Sequence, residues 1–281
     1  MSTESSNSPV SSSSASSAAS GHIPMIVLVG LGAGFLSGLF GVGGGILIVP
    51  GLVLVAKLDQ RIAHGTSLAA VLPIAASSMV TYWAQDHIDW PVVLFLAIGA
   101  VAGAVLGTKL LNVLPHRTLA VAFATLLVVS AIRLFLADSG TGRDDLDVFM
   151  AVLLVVVGVL TGILAGLLGV GGGIIMVPAM MMLFHIPPVI AKGTSLGVII
   201  PTAIMGTWRN RTKKNVDFLA AAIVGVSGIL AAIAGGWISG RMSDTLSNVL
   251  FASLLSVVAL RLVLQIRRED RATAKQAGSG K

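Results

Sequence analysis

Gly41-Val42-Gly43-Gly44-Gly45-Ile46, followed by Val49-Pro50, returns almost unchanged as Gly169-Val170-Gly171-Gly172-Gly173-Ile174, followed by Val177-Pro178. At the same offset of 128 residues, Ile62-Ala63-His64-Gly65-Thr66-Ser67-Leu68 matches Ile190-Ala191-Lys192-Gly193-Thr194-Ser195-Leu196. Pro73 matches Pro201, and Asp89 matches Asp217. A fixed period that holds without gaps indicates an internal duplication, which here covers nearly the whole chain.

The composition indicates a membrane protein. Of the 281 residues, 55% are hydrophobic and 11% are charged, and several apolar runs approach the roughly 20 residues that cross a bilayer as a helix. Gly is abundant at 33 residues, as expected where helices pack closely in a bilayer. We therefore predict an all-α polytopic membrane protein with two inverted-topology repeats and about 8–10 membrane segments.

The order of the segments divides the chain into five parts. Residues 1–22 are rich in Ser and predict a disordered tail, since they lack the basic and apolar regions of a signal peptide. Membrane repeats are predicted at 23–137 and 149–266, an acidic extracytoplasmic loop at 138–148 and a basic cytoplasmic tail at 267–281.

Glycine marks two different features of the first repeat. Gly30, Gly34 and Gly38 are four residues apart and so share one helix face; they either line a pathway or allow close helix packing. The cluster at 41–45 instead breaks the helix, because each Gly costs roughly 1 kcal/mol relative to Ala in a helix interior. The piece from Ile46 to Ala56 would rise only about 17 Å, so it either re-enters or belongs to a longer span.

Basic residues predict the orientation, because loops rich in Lys and Arg stay in the cytoplasm. With both termini cytoplasmic, the cytoplasmic loops hold Lys57, Arg61, Lys109, Arg117, Arg209, Arg211, Lys213, Lys214 and the five basic residues of the C-terminal tail. The outer loops hold Arg143, Lys192 and Arg241. Equivalent loops of the two halves differ in charge, which is typical of inverted repeats.

The two glycine breaks are candidate anion sites. A broken helix exposes unpaired backbone N–H groups at the start of its second part, where the helix dipole is positive. Ile46 and Ile174 would begin such half-helices, and Thr or Ser hydroxyls would cap the next helices. The predicted substrate-binding residues are Gly43, Gly44, Gly45, Thr66, Ser67, Gly171, Gly172, Gly173, Thr194, Ser195 and Lys192, with His64 as the proton-coupling residue. The alternative is that all of them serve turns and caps.

Other chemistries find little support in the sequence. The chain has no Cys, and its His residues show no metal-ligand spacing, so neither a metal site nor a cofactor is predicted. The glycines match no nucleotide-binding motif. The net charge of +6 reflects basic loops at a membrane face rather than nucleic-acid binding. No carboxylate lies in an apolar span, so no catalytic residue is predicted.

The duplicated Gly-x-Gly-Gly-Gly stretch ending in Pro, with Gly-Thr-Ser-Leu after it in each half, resembles the TauE/SafE sulfite exporter family over about residues 24–266. The resemblance implies a multi-pass protein of the bacterial inner membrane that exports sulfite, related sulfur oxyanions or organosulfonates such as sulfoacetate. It also implies proton coupling and alternating access. The alternatives are a passive anion channel and an intramembrane enzyme. Beyond the bilayer and a small anion no partner is predicted, and the oligomeric state stays open.

Overall fold

The fold is that of a computed structural model, which describes residues 23–110, 146–169 and 171–278, with isolated helical positions between 121 and 135. This described part contains nine helices and no strands. They are α1 (Ile23–Phe40), α2 (Gly45–Leu54), α3 (Gln60–Trp83), α4 (Trp90–Leu110), α5 (Val148–Leu168), α6 (Gly173–Phe184), α7 (Pro188–Thr212), α8 (Phe218–Ser239) and α9 (Asp244–Gly278). The predicted all-α class and number of segments are confirmed.

The helices fall into two length classes. Seven contain an apolar stretch long enough to cross a membrane, whereas α2 and α6 are too short. With 10 residues in α2 and 12 in α6, the rise is about 15 and 18 Å, against a hydrocarbon core of roughly 30 Å. The two short helices occupy equivalent positions in the two halves. In the same way, α1–α4 correspond in order to α5–α8.

Each short helix folds back along the long helix before it. A Cβ placed on Gly44 would lie 2.6 Å from the Ala33 carbonyl oxygen, and one on Gly51 would lie 2.6 Å from Val29 Cγ1. Residues later in α2 therefore lie beside residues earlier in α1, so the two helices run antiparallel. This geometry decides between the two predicted alternatives: α1 and α2 form a hairpin, and α2 does not continue the span.

Small residues hold helices of opposite halves together. α1 packs against α8, and α4 packs against α5. A Cβ on Gly34 would overlap the backbone of Gly228, and one on Gly103 would overlap the backbone of Val159. The four-residue glycine spacing therefore serves close helix packing, one of the two readings that the sequence allowed.

α3 and α7 occupy equivalent positions in the two halves and pack against each other in opposite directions. Gly65, early in α3, touches the Asn215 carbonyl just beyond the end of α7. Gly193, early in α7, touches the His87 carbonyl just beyond the end of α3. Equivalent helices that run antiparallel are consistent with the predicted inverted repeats.

Three sequence predictions differ from the structure or lie outside it. Arg61, predicted to lie in a cytoplasmic loop, is in the first turn of α3, because Asp59 accepts from the Arg61 N–H and caps the helix there. Lys192 was assigned to an outer loop but lies inside α7 and is 1% exposed. The Ser-rich tail at 1–22 and most of the acidic loop at 138–148 lie outside the described residues.

Candidate functional site

The two glycine breaks adopt a conformation that L residues rarely adopt. Gly44, which precedes α2, has φ 73° and ψ −10°, and Gly172, which precedes α6, has φ 78° and ψ −18°. Gly41 and Gly43 also have positive φ, as do their counterparts in the second half. Glycine adopts this left-handed conformation without the steric penalty of a Cβ. The predicted helix breaks are therefore present, with the half-helices beginning at Gly45 and Gly173, one residue earlier than expected.

The two breaks meet in the interior of the protein. A Cβ on Gly173 would lie 2.7 Å from the Gly41 carbonyl oxygen and 2.8 Å from Val42 Cα. Val71 of α3 and Ile199 of α7, which are equivalent residues, both lie close to Gly43 and Gly171, and both are fully buried. The predicted residues Gly43, Gly44, Gly45, Gly171, Gly172 and Gly173 are thus brought together and buried.

This arrangement directs two helix N-termini toward the same region. The first N–H groups of a helix have no partner within it, and the aligned peptide dipoles place roughly half a positive charge at that end. α2 and α6 both begin where the breaks meet. Their combined field favours a small anion, for which the backbone N–H groups are suitable donors.

The Thr and Ser pairs lie in the second turn of α3 and α7, and the prediction that they cap these helices is wrong. Instead they bind the opposite half. Ser67 Oγ donates to the Gly169 carbonyl at 3.0 Å, and Thr66 Oγ1 accepts from the Asp217 N–H at 2.9 Å; we name these two bonds the α3 seal. Ser195 Oγ donates to the Gly41 carbonyl at 2.5 Å, and Thr194 Oγ1 accepts from the Asp89 N–H at 3.0 Å; we name these the α7 seal.

The seals are reciprocal, because every bond of one has its equivalent in the other at the 128-residue offset. Reciprocal contacts between equivalent patches are consistent with an approximate two-fold relation between the two halves. The carbonyl groups that accept from the serines follow α1 and α5, where helical carbonyls lack intrahelical partners. The hydroxyls thus stabilise both breaks from the other half of the molecule.

Beside the two breaks, one pair of equivalent positions carries different basic residues, His64 and Lys192. Lys192 is buried in α7, and its backbone packs on Gly41, where a Cβ would lie 2.6 Å from Lys192 Cα. His64 is half-buried in α3, and its Nδ1 lies 2.8 Å from the position of a Cβ on Gly169. Lys192 therefore contacts the first break, and His64 contacts the second.

Around Lys192 lie residues that the sequence analysis did not identify. Lys192 Nζ donates to Ser239 Oγ at 3.2 Å and to Ser247 Oγ, and it lies 5.7 Å from the centre of the Phe40 ring. These partners come from α8, α9 and α1. Ser239 and Ser247 both lie near the ends of their spans, and no sequence motif connects such scattered positions.

Comparison with known proteins gives the family. The model of the sulfite exporter TauE/SafE family matches residues 6–144 and 154–280. The probable membrane transporter protein YunE of Bacillus subtilis is 28% identical over 264 residues, which cover 85% of this chain and 93% of that protein. YjnA of the same organism is 29% identical over 252 residues, covering 85% and 98%.

A probable membrane transporter protein of Xylella fastidiosa is 28% identical over 248 residues, covering 85% of this chain and 95% of its own. No solved structure matches the chain. With the duplicated breaks in place and both segments of the family model matched, this multi-pass membrane protein belongs to the sulfite exporter TauE/SafE family.

Proposed function

We propose that this protein is a secondary transporter that moves a small anion across the bacterial inner membrane, with both termini in the cytoplasm. The anion is sulfite, a related sulfur oxyanion or an organosulfonate, and export is coupled to protons. The observation that carries the proposal is the meeting of two glycine breaks, each followed by a helix N-terminus, inside the protein. Family membership and the transporter names of the relatives support transport over an intramembrane enzyme.

The charge of the cargo follows from the residues available to balance it. The breaks supply backbone N–H donors, and the buried Lys192 would supply a positive charge. An unpaired cation placed beside them would meet like charge, and burying an ion without a partner costs several kcal/mol. The predicted glycines at 43–45 and 171–173 would thus contact the anion through their backbone.

Alternating access is the mechanism that fits the reciprocal seals. Val71 and Ile199 fill the space beside both breaks, so an anion there has no open route in this conformation. Separation of the α3 seal would open one side, and separation of the α7 seal would open the other. Because a passive channel needs one continuous path, the closed centre favours a carrier.

His64 is the residue that we assign to proton coupling. Histidine changes its charge near neutral pH more readily than any other unperturbed side chain, and His64 packs against the break of the second half. A proton bound at His64 would add positive charge where the anion binds. The protonation state of His64 would thus alter how tightly the anion is held at the second break.

Transport in proteoliposomes tests the proposal. Purified protein should accumulate labelled sulfite against its gradient when a pH gradient is imposed, and it should exchange labelled for unlabelled anion in counterflow, which a channel does not show. His64→Gln should reduce the pH dependence of this flux. Absence of transport for sulfite, thiosulfate, sulfate and sulfoacetate, with selective uptake of a cation, would refute anion transport.

A further inference from the structure

The Lys192 side chain is buried, and no carboxylate of the described residues contacts its amino group. Its 1% exposure leaves it almost no access to water. In the described part of the chain no carboxylate lies within ion-pair distance of its Nζ. Asp244, at the start of α9, attracts it through space only. An ammonium charge buried away from water is stable only if other groups offset the loss of its hydration. A bound anion would provide this compensation.

The hydrogen bonds around Lys192 leave two donors for a ligand. An ammonium group has three N–H donors, and Ser239 and Ser247 accept two of them. The Tyr82 hydroxyl donates to the Gly38 carbonyl at 2.7 Å, so its oxygen is left to accept the hydrogen of the neighbouring Ser239 hydroxyl. The third N–H of Lys192 and the Ser247 hydroxyl hydrogen have no acceptor in the described part of the chain.

The remaining neighbours position the ammonium group. The Phe40 ring faces Nζ and stacks on Phe251, with ring centres 5.4 Å apart. The Phe40 ring and Ser239 thus hold the Lys192 amino group at the end of α1, directly beside the first glycine break. Tyr82 and Asp244 are the titratable groups that act on this cluster from α3 and α9.

We propose that Lys192 and Ser247 form a charge-binding subsite for an oxyanion, in which Ser239 and Phe40 are positioning residues. The inference rests on the proposed function, since it identifies which residues hold the charge of the transported anion. The two donors suit a small ligand with at least two acceptor oxygens, such as sulfite or a sulfonate group. The first half has His64 at the equivalent position, so the subsite is present in one half only.

Sulfite binding to the purified full-length protein tests the subsite by isothermal titration. Ser247→Ala should raise the Kd about 10-fold, the size expected for a hydrogen bond to a charged group. Ser247→Thr keeps the hydroxyl and should stay near the wild-type Kd. Ser256→Ala is the matched control, because Ser256 also lies in α9 but donates to its own helix at Ala252.

Lys192→Gln should abolish measurable sulfite binding, and the melting temperature without sulfite shows whether each variant is folded. Wild-type affinity in folded Ser247→Ala and Lys192→Gln would overturn the subsite while anion transport could still stand. If the wild-type protein binds sulfite but Ser247→Thr loses affinity as Ser247→Ala does, the hydroxyl is not the donor and the subsite is wrong. Failure of the wild type to bind or transport any oxyanion would instead refute the proposed function.

Discussion

Removal of one seal should open the protein toward one side of the membrane. Ser67→Ala deletes the donor to the Gly169 carbonyl, which is buried at the end of α5. A hydrogen bond of this kind contributes about 1 kcal/mol net. Both seals are closed in this structure, so the loss weakens the closed conformation on one side. A change of about 1 kcal/mol alters the ratio of open to closed protein about 5-fold.

Cysteine labelling measures this change directly, because the chain has no native Cys. A reporter cysteine at Val42, which is buried in the first break beside Gly173, should react with a membrane-impermeant maleimide only when a side is open. Ser67→Ala should raise the labelling rate from the side of the α3 seal, which is cytoplasmic in the proposed topology. Ser195→Ala should raise it from the opposite side.

Ser77→Ala is the control for general loosening, since Ser77 lies in α3 but donates to Ile74 of its own helix at 2.9 Å. Its labelling rate should match that of the reporter alone. The reasoning is refuted if Ser67→Ala and Ser195→Ala increase labelling from the same side, or if neither changes it while both proteins remain folded.

Three further outcomes follow from packing, topology and burial. Gly34→Val should sharply lower folded yield in detergent, since overpacking costs typically 1–3 kcal/mol or more, whereas Gly32→Ala should not, because its Cβ has 3.8 Å to the nearest atom. Single cysteines at the equivalent exposed positions Ala84 and Thr212 should react from opposite sides of the membrane; reaction from one side would contradict inverted repeats. Burial lowers the pKa of His87, so the melting temperature should fall as the pH drops from about 6.5 through that lowered pKa, and His87→Gln should lessen this fall.

The helix breaks could be predicted because their cause is local. Four glycines in five residues disfavour a continuous helix wherever they occur, and positive φ at Gly44 and Gly172 is the expected result. The duplication then predicted that both breaks would be alike. The convergence of the two breaks is a tertiary property, and it required the structure.

The role of the hydroxyls could not be predicted, because it depends on residues that are distant in the sequence. Thr and Ser before an apolar run commonly cap a helix, but the cap of α3 is Asp59, well ahead of Thr66. The bonding partners of these hydroxyls lie far along the chain, with Ser67 and Gly169 separated by 102 residues and Ser195 and Gly41 by 154. No local pattern contains such a pairing. Pairing across the two halves is visible only once the fold brings them together.

The symmetry of the seals also gives a reason why, under the proposed function, the two halves would carry different basic residues at their breaks. If the two halves were identical, an anion would meet the same donors on either side, and the scaffold would impose no preference between the two open states. In this conformation Lys192 places a buried amino group at the first break, whereas His64 places a half-buried imidazole at the second. Under the proposed function, the anion is therefore held differently before and after the seals exchange. In this proposal, the symmetry of the seals provides the alternation, and the Lys192–His64 pair provides a difference between the halves on which a proton gradient would act.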